Sequence, residues 1–265
     1  MDFETYWRNV RRARTGSADR CAVVFHTIAS SHDAARRAAA EYRNEGVEPP
    51  AVDFLAWCQS AGKGRQGRAW SSPPGAGVYA SMIRRVAADR VSRLPLLVPV
   101  ALAGVLRSHA DVPCRLKWPN DLVVDGRKLG GVLIDVLSGS DERPVTILSF
   151  GLNHGPDATT GFAEKAAVST ADLGSGLALD ELAVAALEEL DRRLAAEHDG
   201  SPAGSELVEE YRSLCAHRPG DSLDCRLGDD EEKTRGIFRG IDDQGFLRLQ
   251  VGDEEKVVAS GRLLP

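Results

Sequence analysis

The chain has 265 residues, 43% of them hydrophobic and 27% charged, a composition that fits one large domain or a large one with a small one. Disordered, collagenous and membrane-spanning classes are excluded, and a core of this size needs no disulfide or metal staple. With 33 basic and 39 acidic residues the net charge is −6, which argues against general binding to nucleic acid or to anionic membrane.

The first twenty residues mix aromatic side chains with arginines and contain no apolar stretch of the signal-peptide kind. They read as a leader (1–20): a short amphipathic helix, then a loose linker at Thr15–Asp19. Val23–Thr27 reads as a buried strand. Ser30 or Ser31 can N-cap a helix through the Ala/Arg-rich stretch to Glu45, with Gly46 as its stop. Asp53–Cys58 is a strand, Gly62–Gly77 a long loop punctuated by Gly and Pro, and Val78–Arg84 a strand. The apolar stretch Leu94–Leu106 is too short to span a bilayer and opens a buried helix over Leu96–Ala110. A compact run follows: strand Arg115–Trp118, turn Pro119–Leu122, strand Leu122–Val124 and the hairpin turn Asp125-Gly126. Val132–Val136 and Thr146–Leu152 are further strands, and Asp180–His198 and Glu206–Cys215 are helices. After Pro219 the pattern changes to period two, with strands at Ser222–Leu227, Thr234–Ile241, Phe246–Val251 and Lys256–Ala259. The fold class is α+β: a mixed sheet with helices over 21–217, then a small barrel-like module over 218–265.

The five cysteines (Cys21, Cys58, Cys114, Cys215, Cys225) are scattered and form no C-x-x-C. Neither a zinc site nor a disulfide framework is expected, and a reducing cytoplasm fits.

Charge is unevenly placed. Between Phe54 and Ala88 there is no Asp or Glu, while Lys63, Arg65, Arg68, Arg84 and Arg85 all fall there. Three of these lie in the loop GKGRQGRAW, where glycines let backbone approach a ligand and basic residues offer charge and guanidinium forks. Such a loop suits a phosphate or carboxylate; a solvated basic surface loop is the plain alternative. Gly62, Gly64 and Gly67 match G-x-G-x-x-G in form only. That fingerprint needs a helix starting among the glycines, and Pro73-Pro74 prevent one. A second polar cluster comes from KWPNDL (Lys117–Leu122) and GRKLGG (Gly126–Gly131), packed around a short hairpin; plain turn chemistry, with Gly130-Gly131 as only a tight bend, is the alternative.

Taken in order, GKGRQGRAW, KWPNDL, RKLGGVLID and SFGLN resemble the biotin protein ligases, and GIFRGIDDQGFLRLQ with the late SGRLL resembles that family's SH3-like C-terminal domain. The likeness covers about residues 21–265 and has the look of the monofunctional type, without a DNA-binding domain. It implies activation of biotin with MgATP to biotinyl-5′-AMP, then transfer to a lysine of the biotin carboxyl carrier domain of a carboxylase. By motif position it implies Ser30, Ser31, His32, Gln59, Lys63, Gly64 and Arg65 on biotin. It places Trp70, Lys117, Asn120, Lys128 and Asn153 on the ATP or adenylate side. Lys128, Arg65 and Arg68 are its catalytic cations, and Asp121 its candidate Mg²⁺ ligand. Two departures stand out. Ser30-Ser31-His32 replaces the usual Ser-Thr-Asn, which leaves His32 open between a ligand contact and a helix-start residue, and Lys63 replaces the commoner arginine. Other readings are a lipoate or octanoate ligase or transferase, and a weakly active biotin-binding protein.

Overall fold

Strand Val145–Asn153 is buried at every position, so its two faces must both be covered. It is the centre of a seven-stranded mixed sheet in the computed structural model, which describes residues 1–14, 21–137, 142–160, 166–196, 203–228 and 232–264. The expected linker Thr15–Asp19 and the end of the helix at His198 lie outside them. The sheet holds β1 (Cys21–Ile28), β2 (Val52–Gln59), β5 (Gly77–Arg85), β6 (Arg115–Lys117), β7 (Asp121–Val124), β8 (Arg127–Leu137) and β9 (Val145–Asn153), in the order β1-β2-β5-β9-β8-β7-β6. β1 and β2 are parallel, joined through α2 (Ser31–Asn44); the other pairs are antiparallel. The expected long loop is partly ordered as a small hairpin, β3 (Gly62–Lys63) with β4 (Ala69–Trp70), closed by a turn in which Gln66 (φ 55°) and Gly67 (φ 69°) are both left-handed.

Alternation along β9 separates the two faces. Leu148, Phe150 and Leu152 point into the main core with α1 (Phe3–Arg14), α3 (Leu94–His109), α4 (Leu179–Ala196) and α5 (Ala203–Leu214). Val145 and Ile147 point the other way, into a small cluster with Phe54, Ile83 and the alanines Ala35 and Ala39 of α2. Farther along that second face the side chains become Ser149 and then Gly151. The apolar cover ends there, and the candidate site begins.

Ser30 caps α2, its hydroxyl accepting from the Asp33 N–H at 3.3 Å, and Gly46 (φ 70°) follows the helix end. The segment Ala88–His109 is apolar and long enough to cross a membrane on length and composition alone. Here its central residues Leu97–Ala103 are buried, packed against α4, α5 and the sheet.

The segment read as a leader contributes directly to this interior. Tyr6 and Val10 of α1 are fully buried, and Arg14 enters a square of buried charges with Asp53, Arg84 and Asp191. Its four contacts run from 2.5 to 2.8 Å. Burial acts against the Arg14 charge, but Asp53 and Asp191 outweigh it and hold the guanidinium above its ordinary value. Burial likewise acts against Asp191, and Arg84 with Arg14 nevertheless hold its carboxyl below the usual range.

The C-terminal sheet has one strand more than expected. β10 (Ser222–Leu227), β11 (Thr234–Ile241), β12 (Leu247–Val251), β13 (Glu254–Val258) and β14 (Gly261–Leu263) lie in the order β13-β12-β11-β10-β14. This antiparallel sheet is the expected SH3-like module, and among the described residues β13 and β14 are not paired. Its apolar face is covered by the larger unit. Phe238, Leu247 and Leu249 join the main core, Gly245 packs on Leu96, and the Trp118 indole N–H donates to the Gly245 carbonyl at 3.2 Å.

Candidate active site

A cavity of about 190 Å³ opens between the N-terminus of α2, the β3–β4 hairpin and the second face of the sheet. Strand register builds its floor. Gly131 on β8 stands opposite Gly151 on β9, and Leu133 opposite Ser149. The facing glycines leave room for two large side chains. A Cβ on Gly151 would meet the Trp70 ring at 2.5 Å, and one on Gly131 would lie 3.4 Å from Lys128 Nζ. Gly130 and Gly131 are both paired in β8, next to a bulge that skips Leu129, and Gly131 is kept small so that Trp70 and Lys128 can lie on it. The Lys128 ammonium sits 5.2 Å from the Trp70 ring centroid and 2.6 Å from Asp121 Oδ1. The buried Trp70 indole nitrogen has no hydrogen-bond partner among the described residues.

At the other end the groups are neutral and tightly specified. Gln59 accepts from the Ser31 N–H and donates to Ser72 Oγ, both at 2.8 Å, which fixes its amide orientation. Ser31 Oγ lies 3.0 Å from Ser81 Oγ. His32 lies between Ser149 and Asp135. Across the mouth, Arg65 donates to Asn120 Oδ1 at 3.3 Å, and Asn120 donates to the Val132 carbonyl at 2.7 Å. Burial holds Arg65 below its ordinary value, with Asp121 opposing. Lys63 is half exposed and pairs with Asp33 at 2.8 Å, while exposed Arg68 donates to the Arg65 carbonyl.

The structure thus brings together Ser30, Ser31, His32, Gln59, Lys63, Gly64, Arg65, Arg68, Trp70, Asn120 and Lys128 around one cavity. Three expected residues stand off its wall. Asn153 is buried and donates to the carbonyls of Lys128 and Val168, bracing the strand that carries Lys128. Asp121 and Lys117 lie behind Lys128, where burial holds the Lys117 ammonium below its ordinary value. Two of the five basic residues in the acid-free window are also elsewhere. Arg84 is in the buried charge square, and Arg85 pairs with Glu48. Sequence reasoning missed Ser81, Ser149 and Asp135. Their signal is a hydroxyl or carboxylate on the strand face that holds Ile83 and Ile147 one turn of the alternation away. It also missed Arg262 on β14, whose electrostatic neighbours include Arg68, Arg226 and Asp121 and whose guanidinium burial holds below its ordinary value.

Residues 33–151 match the Biotin/lipoate A/B protein ligase family, and residues 224–262 match the biotin protein ligase C terminal domain. A biotin--[acetyl-CoA-carboxylase] ligase of Mycobacterium tuberculosis is 32% identical over 248 residues, 90% of this chain and 86% of the relative. The chain is a member of the biotin protein ligase family. Another relative of this ligase, the bifunctional ligase/repressor BirA of Escherichia coli, is 31% identical over 203 residues, 74% of this chain but 60% of the relative's own length. The biotin protein ligase of Aquifex aeolicus, solved in complex with biotin and ATP, shares the fold with a TM-score of 0.72 at 21% identity, over 92% of this chain and 97% of that one.

Small additions to the glycine floor should be costly for this ligase. Gly151→Ala is expected to push the Trp70 ring off the sheet, because its Cβ would stand 2.5 Å from the indole. Quenching of Trp70 fluorescence by nucleotide should weaken accordingly, while a Gly176→Ala variant, away from the cavity and with nothing within 4 Å of the added Cβ, should change little.

Proposed function

We propose that this ligase activates biotin with ATP and transfers the biotinyl group to a lysine of a biotin carboxyl carrier domain, in the cytoplasm. The observation that carries the reading is the division of one cavity into a neutral, hydrogen-bonding end and a cationic end. Biotin has the same division: a cyclic urea at one end and a carboxylate at the other. In the first half-reaction a carboxylate oxygen of biotin attacks the α-phosphorus of ATP, the bond to the β-phosphate oxygen breaks, and pyrophosphate leaves. In the second the acceptor ε-amine attacks the acyl carbon, AMP leaves, and the amine loses a proton.

In this reading Ser30, Ser31 and Gln59 face the urea, and Lys63, Gly64 and Arg65 close over the acyl phosphate. Lys128 neutralises charge that builds on the α-phosphoryl oxygens, with no reorganisation at the moment of reaction. Trp70 offers a face to adenine. Asn120 and Asn153 support this end from behind, through Arg65 and through the strand of Lys128. Arg68, Lys117 and Arg262 would hold the departing pyrophosphate. Magnesium fits as part of the MgATP substrate rather than as a resident ion. Among the described residues no three His, Cys, Asp or Glu side chains gather, and Asp121 is engaged by Lys128. A metal bridging to Asp121 would have to share it.

Biotin-dependent exchange of labelled pyrophosphate into ATP tests the first half-reaction, and transfer of labelled biotin to a carrier domain tests the second. Exchange with lipoate or octanoate instead of biotin would move the protein to the related acyl ligases, and biotin binding without exchange would make it a binding protein. Arg262→Ala is expected to raise KM for ATP by about tenfold, equal to about 1.4 kcal/mol, with biotin affinity unchanged.

A further inference from the structure

Five side chains form a continuous line of hydrogen bonds from the neutral end of the cavity to the protein surface. Ser31 Oγ lies 3.0 Å from Ser81 Oγ, and Ser149 Oγ donates to Ser81 Oγ at 2.8 Å. His32 Nδ1 lies 2.9 Å from Ser149 Oγ, and His32 Nε2 lies 3.2 Å from Asp135 Oδ2. The line draws on α2, β5, β9 and β8. Ser31, Ser81, Ser149 and His32 are buried, and Asp135 reaches the surface, where Arg36 pairs with it at 3.1 Å.

Each hydroxyl has one proton to give, and an ionised carboxylate has none. Nε2 of His32 therefore donates to Asp135. With Ser149 giving its proton to Ser81, Ser149 must accept from Nδ1, so the ring carries both protons. Ser81 then donates to Ser31, and the Ser31 proton is left to point into the cavity. If Nδ1 loses its proton it becomes an acceptor, and each link turns round. Ser149 donates to His32, Ser81 to Ser149 and Ser31 to Ser81, which leaves Ser31 showing only a lone pair. We infer that His32 is a positioning residue that sets the direction of this relay, and that Ser31 is a donor to the urea carbonyl of the ligand only while His32 is an imidazolium.

This rests on the reading of the cavity as a biotin site. A carbonyl oxygen cannot use a lone pair, so carbonyl recognition by Ser31 must be accompanied by a proton on His32. The groups around the ring are Asp135 on β8, Asp33 and Arg36 on α2, and the hydroxyls of Ser81 and Ser149 on β5 and β9; Lys63 of β3 is paired with Asp33. Burial holds the ring below its ordinary value, opposed by Asp135 and Asp33 and reinforced by Arg36. Burial thus works against the imidazolium that the outward direction needs, so a ligand that accepts from Ser31 draws the ring toward its charged form. Binding of biotin takes up a proton. Affinity is fully developed below the pKa of the free ring and falls above it, by up to tenfold per pH unit.

The test is calorimetric titration of the full chain with biotin from about pH 5.5 to 8.5, in two buffers of different ionisation enthalpy. The expected result is uptake approaching one proton per biotin at the alkaline end, with Kd rising toward tenfold per pH unit. His32→Asn cannot change its protonation and should show a flat profile without proton uptake. Asp135→Asn removes a group that holds the ring charged, and should move the break to lower pH and weaken biotin binding near neutrality. Biotin binding to the wild type without proton uptake, or with the same pH slope in His32→Asn, would overturn the inference and leave the biotin reading intact. The wild-type measurement stands even if a variant fails to fold. Absence of biotin binding at every pH would overturn the biotin reading itself, and the relay's role with it.

Discussion

Replacing Lys128 by alanine is expected to lower biotin-dependent exchange of pyrophosphate by about 10²–10³-fold, the usual loss when one preorganised donor to a developing oxyanion is removed. The size follows from how firmly the ammonium is held. Asp121 accepts a hydrogen bond from it at 2.6 Å, the Trp70 ring faces it from 5.2 Å, and Gly131 beneath keeps the space clear. Arginine at this position is expected to rescue only part of the loss, because a planar fork does not fit a site shaped for a compact ammonium. Biotin binding should be almost unaffected, since its urea end is read by other strands. A Lys128→Ala variant that retains more than a tenth of the exchange rate would move the neutralising charge to Arg65 or Arg68.

Asp53→Asn is expected to destabilise the fold by about 3–5 kcal/mol, as breaking a buried ion pair from one side does. For a chain of this size that corresponds to a fall of about 6–20 °C in Tm. The carboxylate lies between Arg14 and Arg84, at 2.7 and 2.6 Å, and its side chain is 1% exposed. Its loss leaves two guanidinium groups in the interior with Asp191 alone. Thermal melts of wild type and variant, together with exchange activity well below both melting points, check this: the melt should shift and the activity should not. The same square predicts an acid limit. Asp191 is held below its ordinary value in the folded state. Its stabilisation is therefore complete above the usual carboxylate pKa of about 4 and is lost as pH falls below that, through the folded value. Asp191→Asn should flatten this part of the stability profile.

What could be read beforehand follows physical reach. The start of α2 was legible because a cap and its helix are neighbours in sequence: Ser30 meets Asp33. The strands of the large sheet were legible because alternation and apolar runs are local. The two central motifs converge on one cavity, as their chemistry suggested. Pairings across distant positions were not legible. Nothing local joins His32 to Asp135, 103 positions away, or Arg14 to Asp191, 177 away. Ser81 and Ser149 lie inside apolar strands and carry no signal until the register sets them side by side. Arg84 illustrates the reverse error. Counted by sequence it belonged to the acid-free basic window, yet the alternation of β5 turns it to the opposite face from the cavity. The SH3-like module was legible from its period-two strands, but not that the larger core would cover its apolar face through Phe238, Leu247 and Leu249.

That cover makes the tail sheet part of the mould in which the turn after Lys117 is cast. The indole of Trp118 is anchored on the Gly245 carbonyl, Leu96 is roofed by Gly245, and Arg212 of α5 donates to the Ile241 carbonyl of β11 at 2.8 Å. A gene cut after residue 217 would not yield a smaller working enzyme. It would bare Trp118 and Leu96 to water and release the strand pair on which Asn120 and Asp121 ride. The two sheets should therefore melt together in a single heat-absorption peak, and a pair of half-chains divided at this point should recover function only by reassembling.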